Sequence, residues 1–164
     1  MKLSLLYQIL IFFWNAKKIF SKPKKSEVLI YDRCNSEVLG QYIDLDKVQI
    51  LDIRGESINI YVLFLTIIKF GFRNIRGCYA QMYAKIVKAK IVITFIDNSF
   101  SFYLLKNNNP NLKTIFVQNG LRAIAGDIFL KLETKKYKKE KYQVDLMLCF
   151  GQAVAKKYKE YIVG

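Results

Sequence analysis

The sequence has no histidine in 164 residues. That excludes Ser-His-Asp and Cys-His constellations, histidine general bases and ordinary histidine-containing metal sites. Cysteine is scarce: Cys34, Cys78 and Cys149 are odd in number, far apart and form no CxxC pair. A disulfide framework or a zinc ribbon does not fit that pattern, whereas a reducing cytoplasm does. The common nucleotide and hydrolase signatures are missing as well. There is no GxGxxG after the first candidate strand, no Walker lysine loop and no GxSxG elbow. A receiver-type phosphorylation domain would carry an acidic pair where Asp32 is followed by Arg33. The usual small α/β enzymes are therefore disfavoured, and no cofactor and no metal is expected.

Negative charge is also in short supply. Only 13 Asp plus Glu face 27 Lys plus Arg, a formal charge of +14. The balance points to an anionic partner: a membrane surface, a nucleic acid or a phosphorylated ligand. What is abundant is apolar: hydrophobic residues make up 52% and aromatics 15%. A chain of this length and composition folds as one domain with its own core.

The longest apolar run at the amino end, Leu3 to Trp14 (LSLLYQILIFFW), has 12 residues. A spanning helix needs roughly 20. Trp14-Asn15-Ala16 is a poor signal-peptide cleavage site, and the positive charge lies mainly after the run where a signal peptide would have it before. Lys17, Lys18, Lys22, Lys24 and Lys25 come next, with no acid among residues 1–25. Two readings remain. Residues 1–25 are a basic amphipathic helix lying on an anionic leaflet, with Trp14 and these five lysines in contact, or they pack on the domain.

From residue 26 the chain alternates β-branched runs with helical stretches. Strands are expected at Glu27–Tyr31, Val48–Ile53, Ile91–Ile96, Lys113–Val117 and Val144–Cys149. They are continuous apolar runs, as buried parallel strands are. Helices are expected at Ser36–Ile43, Ser57–Phe70 with Gly71 as its stop, Tyr79–Lys88, Ser99–Lys106 and Gln152–Ile162. The pattern predicts an α/β fold: one Rossmann-like domain over residues 26–164, with a five- or six-stranded, mainly parallel sheet and helices on both faces. The lysine run Lys131–Lys141 (KLETKKYKKEK) reads as a solvated charged segment. It carries one aromatic, Tyr137, where single-strand nucleic-acid sites bring several, so nucleic acid is not the favoured partner.

Ligands of open α/β sheets bind beyond the carboxyl ends of the strands. Each candidate strand hands over to a polar or glycine-containing turn there: Asp32-Arg33-Cys34-Asn35, Asp52-Ile53-Arg54-Gly55-Glu56, Asp97-Asn98-Ser99, Gln118-Asn119-Gly120 with Arg122 close behind, and Gly151. Converging on one edge, these turns would offer carboxylates, amides and guanidiniums to a phosphorylated or polyhydroxylated ligand. Each also has a plainer use. Asp97, Asn98 and Ser99 suit a helix cap, Asn119-Gly120 a turn, and Arg54 with Glu56 a surface pair.

The segments KPKKSEVLIYDR, VQILDIRGESINIYVLF, AKIVITFIDNSFSFYLLK, KTIFVQNGLR and VDLMLCFGQAVAKKYKEYIVG together resemble the amino-terminal half of bacterial surface carbohydrate biosynthesis proteins. Those proteins are similar to glycosyltransferases of the B-type fold and, more distantly, to CDP-glycerol glycerophosphotransferases. The resemblance runs from Lys22 to Gly164. It implies an amino-terminal, acceptor-handling lobe of a two-lobed transferase that acts at the inner membrane face on a nucleotide-sugar or a lipid-linked acceptor. The chain is expected to lack the donor-binding lobe and to be incomplete alone. With no histidine available, Asp97 and Glu56 are the candidate general bases, and Arg54, Asn98, Gln118, Asn119, Gly120 and Arg122 the candidate substrate-binding residues. The alternative is a non-enzymatic basic module that docks on a membrane or binds nucleic acid.

Overall fold

The computed structural model describes residues 13–72, 74–120, 128–133 and 142–164. The core sheet has five strands, all parallel: β2 (Val28–Tyr31), β3 (Gln49–Leu51), β5 (Ile91–Thr94), β6 (Lys113–Val117) and β7 (Leu146–Leu148), in the order β3-β2-β5-β6-β7. The α/β reading thus holds, and every strand of the core sheet lies inside a segment expected to be one. β6 has the expected bounds, and the other four strands are one to three residues shorter than expected.

Burial explains the apolar runs. Leu29, Ile30 and Tyr31 of β2, Val92 of β5 and Phe116 of β6 are fully inaccessible. A parallel strand covered on both faces has no side that water can reach. Helices flank the sheet: α1 (Ser36–Leu39), α2 (Ile60–Phe70), α3 (Ile75–Val87), α4 (Phe100–Tyr103), α5 (Ile128–Glu133) and α6 (Gln152–Tyr161). α2 packs on α3. Tyr31 meets Phe102 edge-on at 5.4 Å, and Phe116 meets Tyr158 of α6 at 5.4 Å. At the far edge Asp145 fixes the start of β7. Its carboxylate accepts the Thr114 N–H at 2.8 Å and the Thr114 hydroxyl at 3.1 Å and pairs with Lys106. Burial pushes that carboxyl up, but these partners outweigh it and hold it below the usual carboxylate range.

The amino-terminal segment differs from expectation. Residues 1–12, which hold most of the apolar run, lie outside the described residues, as do 134–141 of the lysine run. Residues 13–15 are helical, but Lys17–Ile19 is a strand, β1, so the helix does not continue through the lysines. β1 pairs in parallel with β4 (Ser57–Asn59) in a separate two-stranded sheet, with Lys17 opposite Ser57 and Ile19 opposite Asn59. The helix expected to start at Ser57 therefore starts at Ile60. Its first three expected residues give their backbone groups to β1 instead.

Asn59 makes the change from strand to helix. Its side chain accepts the Val62 N–H at 3.0 Å as the N-cap of α2 and donates to the Ser21 carbonyl at 2.9 Å. Its own N–H donates to the Tyr79 hydroxyl at 2.9 Å. Gly71 closes the helix with φ 66°, where a Cβ would be strained, and its N–H reaches the Ile67 carbonyl. Because Asn59 is buried and holds three segments at once, Asn59→Ala should destabilise the domain by about 1–2 kcal/mol. Urea denaturation of the variant beside the wild type checks this, and an unchanged midpoint would refute it.

Candidate functional site

The strand order places the site. Numbered within the sheet alone, the five strands run 2-1-3-4-5, so the winding direction reverses between β2 and β5. Successive connections then leave in opposite directions, and a crevice opens beyond the carboxyl ends of the strands at that point. A crevice of about 650 Å³ lies there. Ile53 and Arg54 reach it from beyond β3, Ile96, Asn98 and Ser99 from beyond β5, Ser101 from α4, and Asn74, Arg76 and Gly77 from the start of α3.

Two guanidiniums enter this crevice, and each is held. Arg54 Nε donates to Asp32 Oδ2 at 2.9 Å, and Arg76 donates to the Ile53 carbonyl at 3.1 Å. Asp32 is the anchor. It is 2% exposed, sits at φ 97° just after β2, and also accepts the Cys34 N–H at 2.8 Å. Burial pushes its carboxyl above the usual range, and the charge of Glu56 adds to that. The Cys34 N–H and the Arg54 charge pull the other way without cancelling it. A second pair stands beside the first: Asp52 accepts from Arg33 at 3.1 Å and from the Ser57 hydroxyl at 2.6 Å.

On the β5 side the polar lining is a hydroxyl cluster. The buried Tyr31 hydroxyl lies 3.0 Å from Ser99 Oγ and 2.6 Å from Ser101 Oγ, and the two serines are 3.1 Å apart. Burial raises the Tyr31 phenol against the pull of both serines, so it stays a neutral donor or acceptor. The N-terminus of α3 completes the wall. Asn74 stands at its N-cap position with φ 46° and makes no side-chain cap bond. Gly77 is packed so closely against the Asn74 side chain that a Cβ there would come within 2.8 Å of it. A thirteen-residue helix with its positive end at a crevice that holds two guanidiniums favours an anion.

The residues expected from the sequence divide into three groups. Arg54 and Asn98 line the crevice, and Glu56 stands exposed near Asp32. Arg54 pairs with Asp32, a partner separated from it by 22 positions. Asp97, Asn119 and Arg54 do follow parallel strands and emerge along one edge, but Asp97 turns inward. It is buried, accepts the Tyr158 hydroxyl at 3.2 Å, and its carbonyl accepts the Tyr103 hydroxyl at 2.9 Å. Gln118 ties two strand ends together, accepting the Phe150 N–H at 2.8 Å and donating to the Gly120 carbonyl at 3.2 Å. Asn119 is exposed outside the crevice lining, and Arg122 lies outside the described residues. Of the expected membrane contacts, Trp14 is 83% exposed, and Lys17, Lys22, Lys24 and Lys25 are exposed. Lys18 folds back, donating to the Trp14 carbonyl at 2.6 Å and lying 5.4 Å over the Phe13 ring.

Sequence reading missed Arg76, because the helix was expected to begin at Tyr79 when it begins at Ile75. The signal available was Asn74, a helix-starting residue just ahead of an apolar one. It also missed the joining of Tyr31 to Ser99 and Ser101 across 68 and 70 positions.

The raised carboxyl of Asp32 has a consequence for stability. Between the ordinary carboxylate value and the raised one, the folded chain holds this proton more tightly than the unfolded chain, so this group's contribution to stability falls as pH rises through that window. Arg54 limits the fall. Its side chain is 48% exposed, so solvent screens the pair. Arg54→Met should cost about 1 kcal/mol at neutral pH, and the cost should vanish near ~pH 3, where Asp32 is protonated in both states. Urea titrations at the two pH values measure it, and a cost independent of pH would refute it.

Residues 115–164, from β6 through α6, match the model of a protein family described as "putative O-antigen biosynthesis protein". That match supports a part in surface-polysaccharide biosynthesis. No curated protein and no solved structure matches the chain.

Proposed function

We propose that this domain serves surface-polysaccharide synthesis by holding a phosphorylated, hydroxyl-rich reactant of a glycosyl transfer in the switch-point crevice. The observation that carries the reading is the meeting of Arg54, Arg76 and the amino end of α3 in one crevice. Guanidiniums fixed by Asp32 and by the Ile53 carbonyl are pre-ordered for phosphate oxygens, which limits the entropy lost on binding. Asn98, Ser99 and Ser101 supply the mixed donors and acceptors that sugar hydroxyls need. In this reading the domain is the acceptor-side lobe of a B-type-like transferase. Glu56 is the exposed carboxylate available to take a proton from an acceptor hydroxyl, while Asp97 holds the loop after β5 through Tyr158.

The domain also docks at an anionic membrane surface. Trp14 and Phe20 are exposed on either side of β1, Phe64 and Ile68 form an exposed apolar row on α2, and Phe72 is exposed just beyond it. The lysines at 17, 22, 24, 25 and 69 supply the positive charge such a surface attracts. No helix among the described residues is long and apolar enough to cross a membrane.

Calorimetric titration with glucose 1-phosphate tests the crevice. The wild type should bind, and Arg76→Ala should weaken binding about tenfold, the usual loss of one charge-assisted contact at a partly exposed site. No binding by the wild type, or equal binding by the variant, would overturn the reading. Docking is tested separately by flotation with phosphatidylglycerol vesicles. Lys24→Ala with Lys25→Ala should cut vesicle partitioning by about tenfold or more at low salt, and partitioning insensitive to both salt and these lysines would refute the docking.

A further inference from the structure

The polar crevice does not end at its guanidiniums. A second cavity, a groove of about 300 Å³, shares Ile53, Arg54 and Arg76 with it. Beyond these shared residues its character changes. Phe13, Ile58, Leu63, Ile75 and Tyr79 line it, drawn from the amino-terminal turn, β4, α2 and α3. One cavity therefore offers cations and hydroxyls, its neighbour offers hydrocarbon, and the same two arginines stand at the border.

The charges nearest the groove do not oppose an apolar occupant. The carboxylate of Asp52, which reaches its wall, is already committed to Arg33 and Ser57. The Tyr79 phenol, pushed up to about 12 chiefly by burial, stays neutral and is occupied by the Asn59 N–H. An open apolar groove is poorly satisfied by water, and two guanidiniums at its mouth are poorly satisfied by hydrocarbon alone. A ligand of both characters satisfies the two together.

We propose that crevice and groove form one site for an anionic amphiphile, its phosphate head on Arg54 and Arg76 and its hydrocarbon chain along Phe13, Ile58, Leu63 and Ile75. The proposal rests on the reading of the crevice as a phosphate site and adds the chain. It is the charge at the border that commits the groove to a phosphate-headed chain and sets aside a neutral lipid or an apolar peptide.

The test is a calorimetric series on the full chain with inorganic phosphate and with methyl, butyl and octyl phosphate, each below its micellar concentration. Binding should tighten about three- to fourfold per added methylene until the groove is filled. Leu63→Gln, a change on α2 at a residue that water already reaches and that lies outside the crevice lining, should flatten that dependence and leave inorganic phosphate affinity unaltered. Arg76→Ala should weaken every member by a similar factor. If inorganic phosphate binds and the longer chains add nothing, the chain site is wrong and the phosphate reading stands. If the gain with chain length survives in Leu63→Gln, the chain lies elsewhere and the proposal fails. If no member of the series binds, the phosphate reading fails and takes the chain with it.

Discussion

The reversal of winding between β2 and β5 is the constraint on which the rest of this structure depends. Parallel strands connected in one direction only would cover their carboxyl ends with successive loops. Reversal sends the loop after β2 and the loop after β5 apart, and the space between them is left for other groups to fill. Three elements fill it partway: the turn after β3 with Arg54, the start of α3 with Arg76, and α4 with Ser101. None of these residues is close in sequence to the others. Only the strand order brings them together.

Such a gap leaves charge at the strand ends, and the molecule holds it through Asp32. Its carboxylate is almost wholly buried, a position that disfavours charge, yet Arg54 and the Cys34 N–H both need it as an acceptor. The raised carboxyl is the trace of that conflict. The same residue adopts φ 97°, a backbone state unusual for anything but glycine. Strain, burial and pairing thus fall on one side chain at the switch point, where departures from local preference concentrate at functional sites.

What the sequence revealed follows from what is local. Buried parallel strands are readable because burial on both faces forces continuous apolar runs, and VLIY and KTIFV carry that signal directly. Gly71 stops α2 for a reason that needs no neighbour. The misreadings share a different cause. Ser57–Asn59 has the composition of a helix start, and only the arrival of β1 from 40 positions away makes it a strand. Asp97 looks like a strand-end carboxylate free for chemistry, and only Tyr158, 61 positions on, shows that it faces the core. Arg54 was visible as a site residue, but its partner Asp32 was not, because ion-pair choice is set by where two strand ends emerge and not by spacing along the chain.

The small β1–β4 sheet then takes on a meaning that its three-residue strands would not suggest. It ties the amino-terminal segment to the entrance of α2, and in doing so sets Phe13 beside Ile58 and Leu63 at the border of the crevice. On α2, Leu63 faces the groove while Phe64, the next residue, begins the exposed row. Successive residues of a helix point about 100° apart, so groove and outer face are adjacent surfaces of the same element. Under the two proposals above, that adjacency orients the domain. With the Phe64 row on a bilayer, the groove opens close to the hydrocarbon boundary and the guanidiniums stand one step further in. A chain could then pass from lipid to groove without crossing bulk water, and its phosphate would arrive at Arg54 and Arg76, cations already held in place by Asp32 and the Ile53 carbonyl.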